Sequence, residues 1–148
     1  MVDRITRVTS DKQLSDALSV RQEVFVEGQD VPEELEYDDR DEAPETVHFV
    51  AYVDERPVGA ARLVPYEGSD DTGKVQRVAV SETVRGEGWG RCVMDAVEAA
   101  ARDVGYTRLV LDAQTHAVGF YERLDYVVTS EEEFLDAGIP HLSMAKDL

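Results

Sequence analysis

Val84-Arg85-Gly86-Glu87-Gly88-Trp89-Gly90-Arg91 sets three glycines at alternate positions between two arginines, shortly after the apolar run Val75-Gln76-Arg77-Val78-Ala79-Val80. A strand that enters a helix through glycines leaves the first-turn amides unpaired, at the positive end of the helix dipole. Anions bind there. Glycine at 86, 88 and 90 removes the Cβ atoms that would hold a phosphate away from the backbone, and it permits positive φ. The local charge agrees: between residues 74 and 91, Lys74, Arg77, Arg85 and Arg91 outnumber Glu82 and Glu87 on a chain whose formal charge is −17.

The flanking sequence supplies the strand and the helix. Downstream, Trp89, Val93, Ala96, Val97, Ala100 and Val104 recur at three and four residues, and Gly105 stands where a helix C-cap belongs. Upstream, residues 47 to 53 and 57 to 65 flank the polar Asp54-Glu55-Arg56, which predicts a β-hairpin with residues 74 to 80 as the next strand. Ser10-Asp11-Lys12-Gln13 reads as a capping box that opens a helix over residues 11 to 25. Residues 33 to 45 carry eight acids, with Pro32 and Pro44 near the ends, and read as a solvated loop or short irregular helix. Residues 107 to 113 predict a strand, 116 to 124 a short helix, and 126 to 129 with 141 to 146 two closing strands; Glu131-Glu132-Glu133 reads as solvated turn. The order β, α, three β, α, β, α, β, β is that of one mixed α/β domain over residues 1 to 148.

Composition narrows the chemistry. The chain is 43% hydrophobic and 32% charged, as globular proteins are, and no apolar run approaches the roughly 20 residues that cross a bilayer. The first residues lack the apolar core and small-residue cleavage site of an export signal, so a cytoplasmic location is expected. Cys92 is the only cysteine, and beside Val93 it is expected to pack rather than react. With His48, His116 and His141 scattered along the chain, no metal site is expected.

Two familiar phosphate loops do not fit. A Walker loop ends in Gly-Lys-Ser/Thr, which is absent, and G-x-G-x-x-G fails because position 91 is Arg. Arg85-Gly86-Glu87-Gly88-Trp89-Gly90 does match R-x-x-G-x-G, and with the preceding Arg77-Val78-Ala79-Val80 it resembles the pyrophosphate loop of the GNAT superfamily of acyl-CoA-dependent N-acyltransferases. A second segment, Gln114-Thr115-His116-Ala117-Val118-Gly119-Phe120-Tyr121, resembles that family's N-x-x-A-x-x-F-Y, with Gln114 in the asparagine place. Asp125 replaces the usual glycine of F-Y-x-x-x-G-F, and Asp tolerates a left-handed turn better than most residues. The segments Arg21 to Gln29 and Gly138 to Met144 also resemble one prokaryotic subset of the family.

The resemblance implies the GNAT fold, a mixed antiparallel and parallel central sheet flanked by helices. It implies acetyl-CoA as co-substrate without a metal, a primary amine as acceptor, a small metabolite in preference to a protein, and direct transfer in a ternary complex. It places Val78, Ala79 and Val80 along the pantetheine arm, residues 85 to 91 (Arg85, Gly86, Glu87, Gly88, Trp89, Gly90 and Arg91) on the diphosphate, and Gln114 and Phe120 beside the arm. Tyr121 becomes the general acid, since a phenol near pKa ~10 roughly matches a departing alkyl thiolate. The base stays open among Glu36, Asp38, Asp39, Asp112, His48, His116 and His141, because Gln76 and Arg77 stand where some relatives carry a catalytic glutamate. Small relatives often pair through their C-terminal strands, so a homodimer is compatible. The rival reading is a CoA-binding sensor or interaction module without acceptor chemistry; a nucleotide-binding regulatory domain would instead prefer ATP to CoA.

The charge is the remaining anomaly. Three lysines and twelve arginines face 32 acids, a surface that repels nucleic acid and, with so few lysines, reads as an adaptation to concentrated salt, where the Debye length falls to about 3 Å at 1 M. No membrane partner is expected either. Self-repulsion should then weaken the fold in dilute buffer. The melting temperature is expected to rise between about 10 mM and 1 M salt; identical values would remove the reading.

Overall fold

In the computed structural model, which describes residues 3–148, the chain runs β1 (Arg4–Arg7), α1 (Asp11–Arg21), α2 (Glu33–Glu36), β2 (Val47–Val53), β3 (Arg56–Pro65), β4 (Thr72–Val80), α3 (Trp89–Val104), β5 (Arg108–Gln114), α4 (Val118–Glu122), β6 (Val127–Val128), β7 (Phe134–Asp136) and β8 (Ile139–Asp147). The mixed α/β architecture expected from the sequence is present. Asp54 and Glu55 take left-handed backbone, with φ of 50° and 66°, as a two-residue type I′ turn requires. Arg56, expected in that turn, instead opens β3 opposite Val53. Ser10 caps α1 by accepting from the Gln13 amide, but the Gln13 side chain accepts from the Thr9 amide, so the reciprocal bond lands one residue earlier than a capping box demands. The helix expected to reach residue 25 leaves α geometry after Arg21 and continues as a wide π-helical stretch, Gln22–Glu27. Val24 and Phe25 pack on the α1-side core there. β7, unforeseen, forms with β8 a hairpin whose turn uses positive φ at Ala137 (52°) and Gly138 (77°).

The sheet order is β1-β2-β3-β4-β5-β8-β6, with β7 also paired to β8. Every pairing is antiparallel except β4 with β5. α3 covers one face, where Val93, Met94, Val97 and Ala101 pack on Phe49, Leu63, Leu109 and Met144. α1, through Ala17 and Val20, and the π-helical stretch, through Val24, cover part of the other against Val50, Tyr52, Ala60 and Ala79. No helix of the described residues is long and apolar enough to cross a membrane.

The acidic run is solvated at Glu33, Glu34, Asp39, Glu42 and Glu45, as expected, but Glu36, Asp38 and Asp41 are paired inward. Arg21 and Arg62, each 1% exposed, draw these three inward. Arg21 donates to Glu36 (Nε to Oε2, 2.8 Å) and to both oxygens of Asp41 (2.6 and 3.1 Å). Arg62 donates to both oxygens of Asp38 (2.6 and 2.8 Å), to Asp41 (2.8 Å) and to Gln76 Oε1 (2.7 Å). Arg77 sits at φ 58° in the bulged part of β4 and donates to the carbonyls of Glu36 and Leu35. Three guanidinium groups thus meet three carboxylates, and the charge is balanced inside the fold. Removing one partner would leave a buried charge exposed to the low dielectric, so the segment is locked.

Burial alone would raise the Asp41 carboxyl, but hydrogen bonds and charge from Arg21, then Arg62, pull it down to about 2. A carboxyl depressed by folding contributes stability above its unfolded pKa, and this is lost as pH falls through the folded value. Glu36 is shifted the other way, because burial outweighs Arg21 and Arg77, so the informative comparison is with a variant. Asp41→Asn is expected to lose about 2 kcal/mol at pH 7, a deficit that fades between about pH 4 and pH 2. Urea unfolding of both proteins across that range checks it.

Candidate active site

β4 and β5 stay paired only from Thr72↔Arg108 to Val75↔Leu111. Beyond that point β4 continues on β3, through Ala60↔Ala79 and Gly59↔Val80, while β5 follows β8 as far as Gln114↔His141. The two strands part, and between them opens a cavity of about 960 Å³. Of the residues proposed from sequence, Val78, Ala79, Val80, Arg85, Gly86, Gly88, Trp89, Gly90, Arg91, Gln114, Phe120 and Tyr121 all line it. Glu87 does not; it is exposed at the loop's outer side.

The glycines divide the work. Gly86 (φ 83°) and Gly88 (φ 88°) hold left-handed backbone with nothing within 4 Å of an added Cβ. Gly90 is helical, and a Cβ there would lie 3.1 Å from Phe120 Cζ, so this glycine makes room for the ring. The two sequence motifs therefore meet in space at Gly90 and Phe120. Residues 85 to 88 and Arg91 are exposed, and the amides from Gly86 to Arg91 donate to no acceptor among the described residues; the helical ladder begins at Cys92, which donates to the Gly88 carbonyl (3.2 Å). Such a row of free N–H groups at the start of a long helix is an anion cradle. Arg85 turns its Nε onto the Val80 carbonyl (3.2 Å) and so ties the loop to the end of β4. Trp89 is half-buried, touching both the α3-side core and the cavity.

Tyr121 enters from α4. Its ring packs edge-on between Phe120 (centroids 4.9 Å) and Tyr126 (5.8 Å). The turn that follows closes as expected, with Asp125 at φ 73° and the Tyr126 amide donating to the Tyr121 carbonyl. The Tyr121 hydroxyl makes no hydrogen bond to protein among the described residues, yet it is not among the sealed, unpartnered polar atoms. It opens to the cavity. Burial pushes its phenol well above the ordinary range of ~10 from which its role was argued.

Gln114 is already engaged. Its amide exchanges two hydrogen bonds with Gln29 (3.1 and 2.8 Å) and accepts from His116 Nε2 (2.7 Å). Gln29, Phe25, Lys74, Gln76 and Ile139 join the wall without having been singled out by sequence as site residues; nothing in residue type or spacing distinguishes them. Among the open candidates for a base, Glu36, Asp112, His116 and His141 line the cavity, whereas Asp38, Asp39 and His48 do not. Gln76, where a glutamate was looked for, is held by Arg62. Cys92, expected to pack, is exposed on the outer side of the first turn of α3. Its neighbours in the helix, Val93 and Met94, take the inward positions.

The chain is similar to known proteins in sequence and in fold. A family model described as an acetyltransferase (GNAT) domain matches residues 7–148. The chain belongs to the GNAT acetyltransferase family. The protein named uncharacterized N-acetyltransferase YjcF of Bacillus subtilis (strain 168) is 48% identical over 138 residues, covering 93% of this chain and 95% of that one. The crystal structure of an acyl-CoA N-acyltransferase from Pseudomonas aeruginosa superposes with TM-score 0.83 at 30% identity, covering 98% of each chain. That of an aminoglycoside 6'-N-acetyltransferase complexed with coenzyme A has TM-score 0.75 at 17% identity, over 97% of this chain and 96% of that one, and shares the fold.

Gly88 offers a direct check of the GNAT loop, since its left-handed φ and empty surroundings isolate backbone strain from packing. Gly88→Ala is expected to cost about 1–2 kcal/mol in urea unfolding at neutral pH.

Proposed function

We propose that this GNAT protein transfers an acetyl group from acetyl-CoA to a primary amine, a small metabolite in preference to a protein, by direct attack in a ternary complex. One observation carries the reading: the free amides of residues 86 to 91, the open edge of β4 and the unbonded Tyr121 hydroxyl share a single cavity. Those amides suit a diphosphate. The parted edge at Val78 to Val80 suits an extended, amide-bearing arm, which would complete hydrogen bonding that β5 no longer supplies. The coenzyme A bound to the aminoglycoside acetyltransferase of the same fold supports the donor class.

Bound acetyl-CoA supplies the acyl group as a thioester. A backbone amide at Ala79 or Val80 then polarises the carbonyl, a contribution of roughly 3 kcal/mol when the donor is aimed at the developing oxyanion. Tyr121 protonates the sulfur as it leaves. Burial disfavours the phenolate, so Tyr121 holds its proton until the sulfur departs.

Tyr121→Phe is expected to lower turnover about 10²-fold or more while leaving acetyl-CoA affinity nearly intact. Calorimetry with acetyl-CoA and thiol release over an amine panel test both halves. Full turnover by the variant would refute the role of Tyr121. Binding by the wild type without turnover on any amine would favour a CoA sensor.

A further inference from the structure

His141 lies at the C-terminal strand, 8% exposed, with its ring stacked on Phe134 of β7 (centroids 6.0 Å, 24° between planes). Its Nδ1 is 2.7 Å from the Ile139 carbonyl. A carbonyl only accepts, so Nδ1 carries the hydrogen and the neutral ring keeps its lone pair on Nε2. No protein group meets Nε2 among the described residues, and Nε2 is not one of the sealed, unpartnered atoms, of which Thr46 Oγ1 alone is found there. His141 lines the cavity, and its free nitrogen is not sealed from solvent. The other candidates are less well placed. Glu36 Oε2 is shared by Arg21 and Arg77 and the Asp112 carboxylate by Lys74 and Ser143, His48 lies off the cavity, and His116, whose Nε2 donates to Gln114, keeps a bare Nδ1 but is exposed where His141 is buried and stacked.

Position matters as much as vacancy. His141 is the register partner of Gln114, so both side chains rise from one face of the sheet, and the Gln114–Gln29 bonds identify it as the α1 face. Tyr121 belongs to the core on the α3 face. An acid and a base thus line one cavity from opposite faces of the sheet, so each can serve a different atom of the reacting centre.

Resting on the acyl-transfer reading above, we propose that His141 Nε2 is the general base that takes the proton from the acceptor amine. The acceptor enters as an ammonium and gives one proton to Nε2, and the freed amine nitrogen bonds to the thioester carbonyl carbon. The carbon–sulfur bond breaks with its electron pair on sulfur, which takes the Tyr121 proton. The second surplus proton on nitrogen passes through solvent to re-form the Tyr121 phenol, amide and free thiol leave, and the imidazolium returns its proton to solvent. Phe134 and the Ile139 carbonyl hold the ring in the productive tautomer.

His141→Asn keeps a donor for the Ile139 carbonyl and removes the Nε2 lone pair. With acetyl-CoA and benzylamine, largely protonated at pH 7, the variant is expected to lose about 10²-fold in kcat with unchanged acetyl-CoA affinity by calorimetry. With O-benzylhydroxylamine, already neutral at that pH, the loss is expected to shrink at least about tenfold. Equal losses on both nucleophiles, or no loss, overturn the proposal. A wild type that binds acetyl-CoA and acetylates neither amine counts against the transferase reading instead, and 15N NMR of the wild-type histidines then decides the assignment. A proton on Nδ1 and a bare Nε2 whose signal moves on adding acetyl-CoA uphold it; a proton on Nε2 overturns it.

Discussion

Parallel pairing between β4 and β5 ends at Val75 and Leu111, and the site follows from that ending. Each strand keeps its other neighbour, so neither is lost from the sheet, yet their facing edges run on without each other. The bulge at Arg77 turns β4 at this place, with a left-handed residue that costs backbone energy and is held by bonds to the Leu35 and Glu36 carbonyls. Backbone groups on a parted edge want partners. An extended ligand rich in amides provides them, as peptides do when they add to a sheet edge.

The buried arginines explain why such an opening holds its shape. Arg62 reaches from β3 to the acidic segment and to Gln76 of β4, and Arg21 reaches the same segment from α1. The result is a rigid polar wedge beside the bulge rather than an apolar one. Apolar packing would hold β4 equally well, but only fixed donors could fix the carbonyls of α2 next to the cavity wall. Glu36 is at once a member of the wedge and part of that wall.

Sequence was most legible where backbone geometry allows few residue types. Gly86 and Gly88 announced a left-handed loop, Gly105 ended α3 at φ 103°, and the apolar runs of β2 and β3 around a polar turn marked the meander. It was least legible where long-range pairs decide. Asp38 and Asp41 read with their neighbours as solvated because nothing local says that Arg62, more than twenty residues on, will claim them. The hairpin at Ala137 hid behind a residue that seldom takes φ of 52°, and the π-helical stretch after Arg21 has no spacing signature short of the packing it serves. For the site, the glycines, Phe120 and Tyr121 were readable as types, whereas the tautomer of His141 depends on one carbonyl two residues away. Only coordinates show it.

The Gln29–Gln114 pair carries one more implication. It bridges the N-terminal helical layer and the last strand before α4 in the cavity wall, using two amides and no net charge. Counterions compete for ion pairs but have little hold on a doubly bonded amide dipole. On a chain so dominated by carboxylates, this link between the helical layer and β5 is of the kind that brine leaves alone.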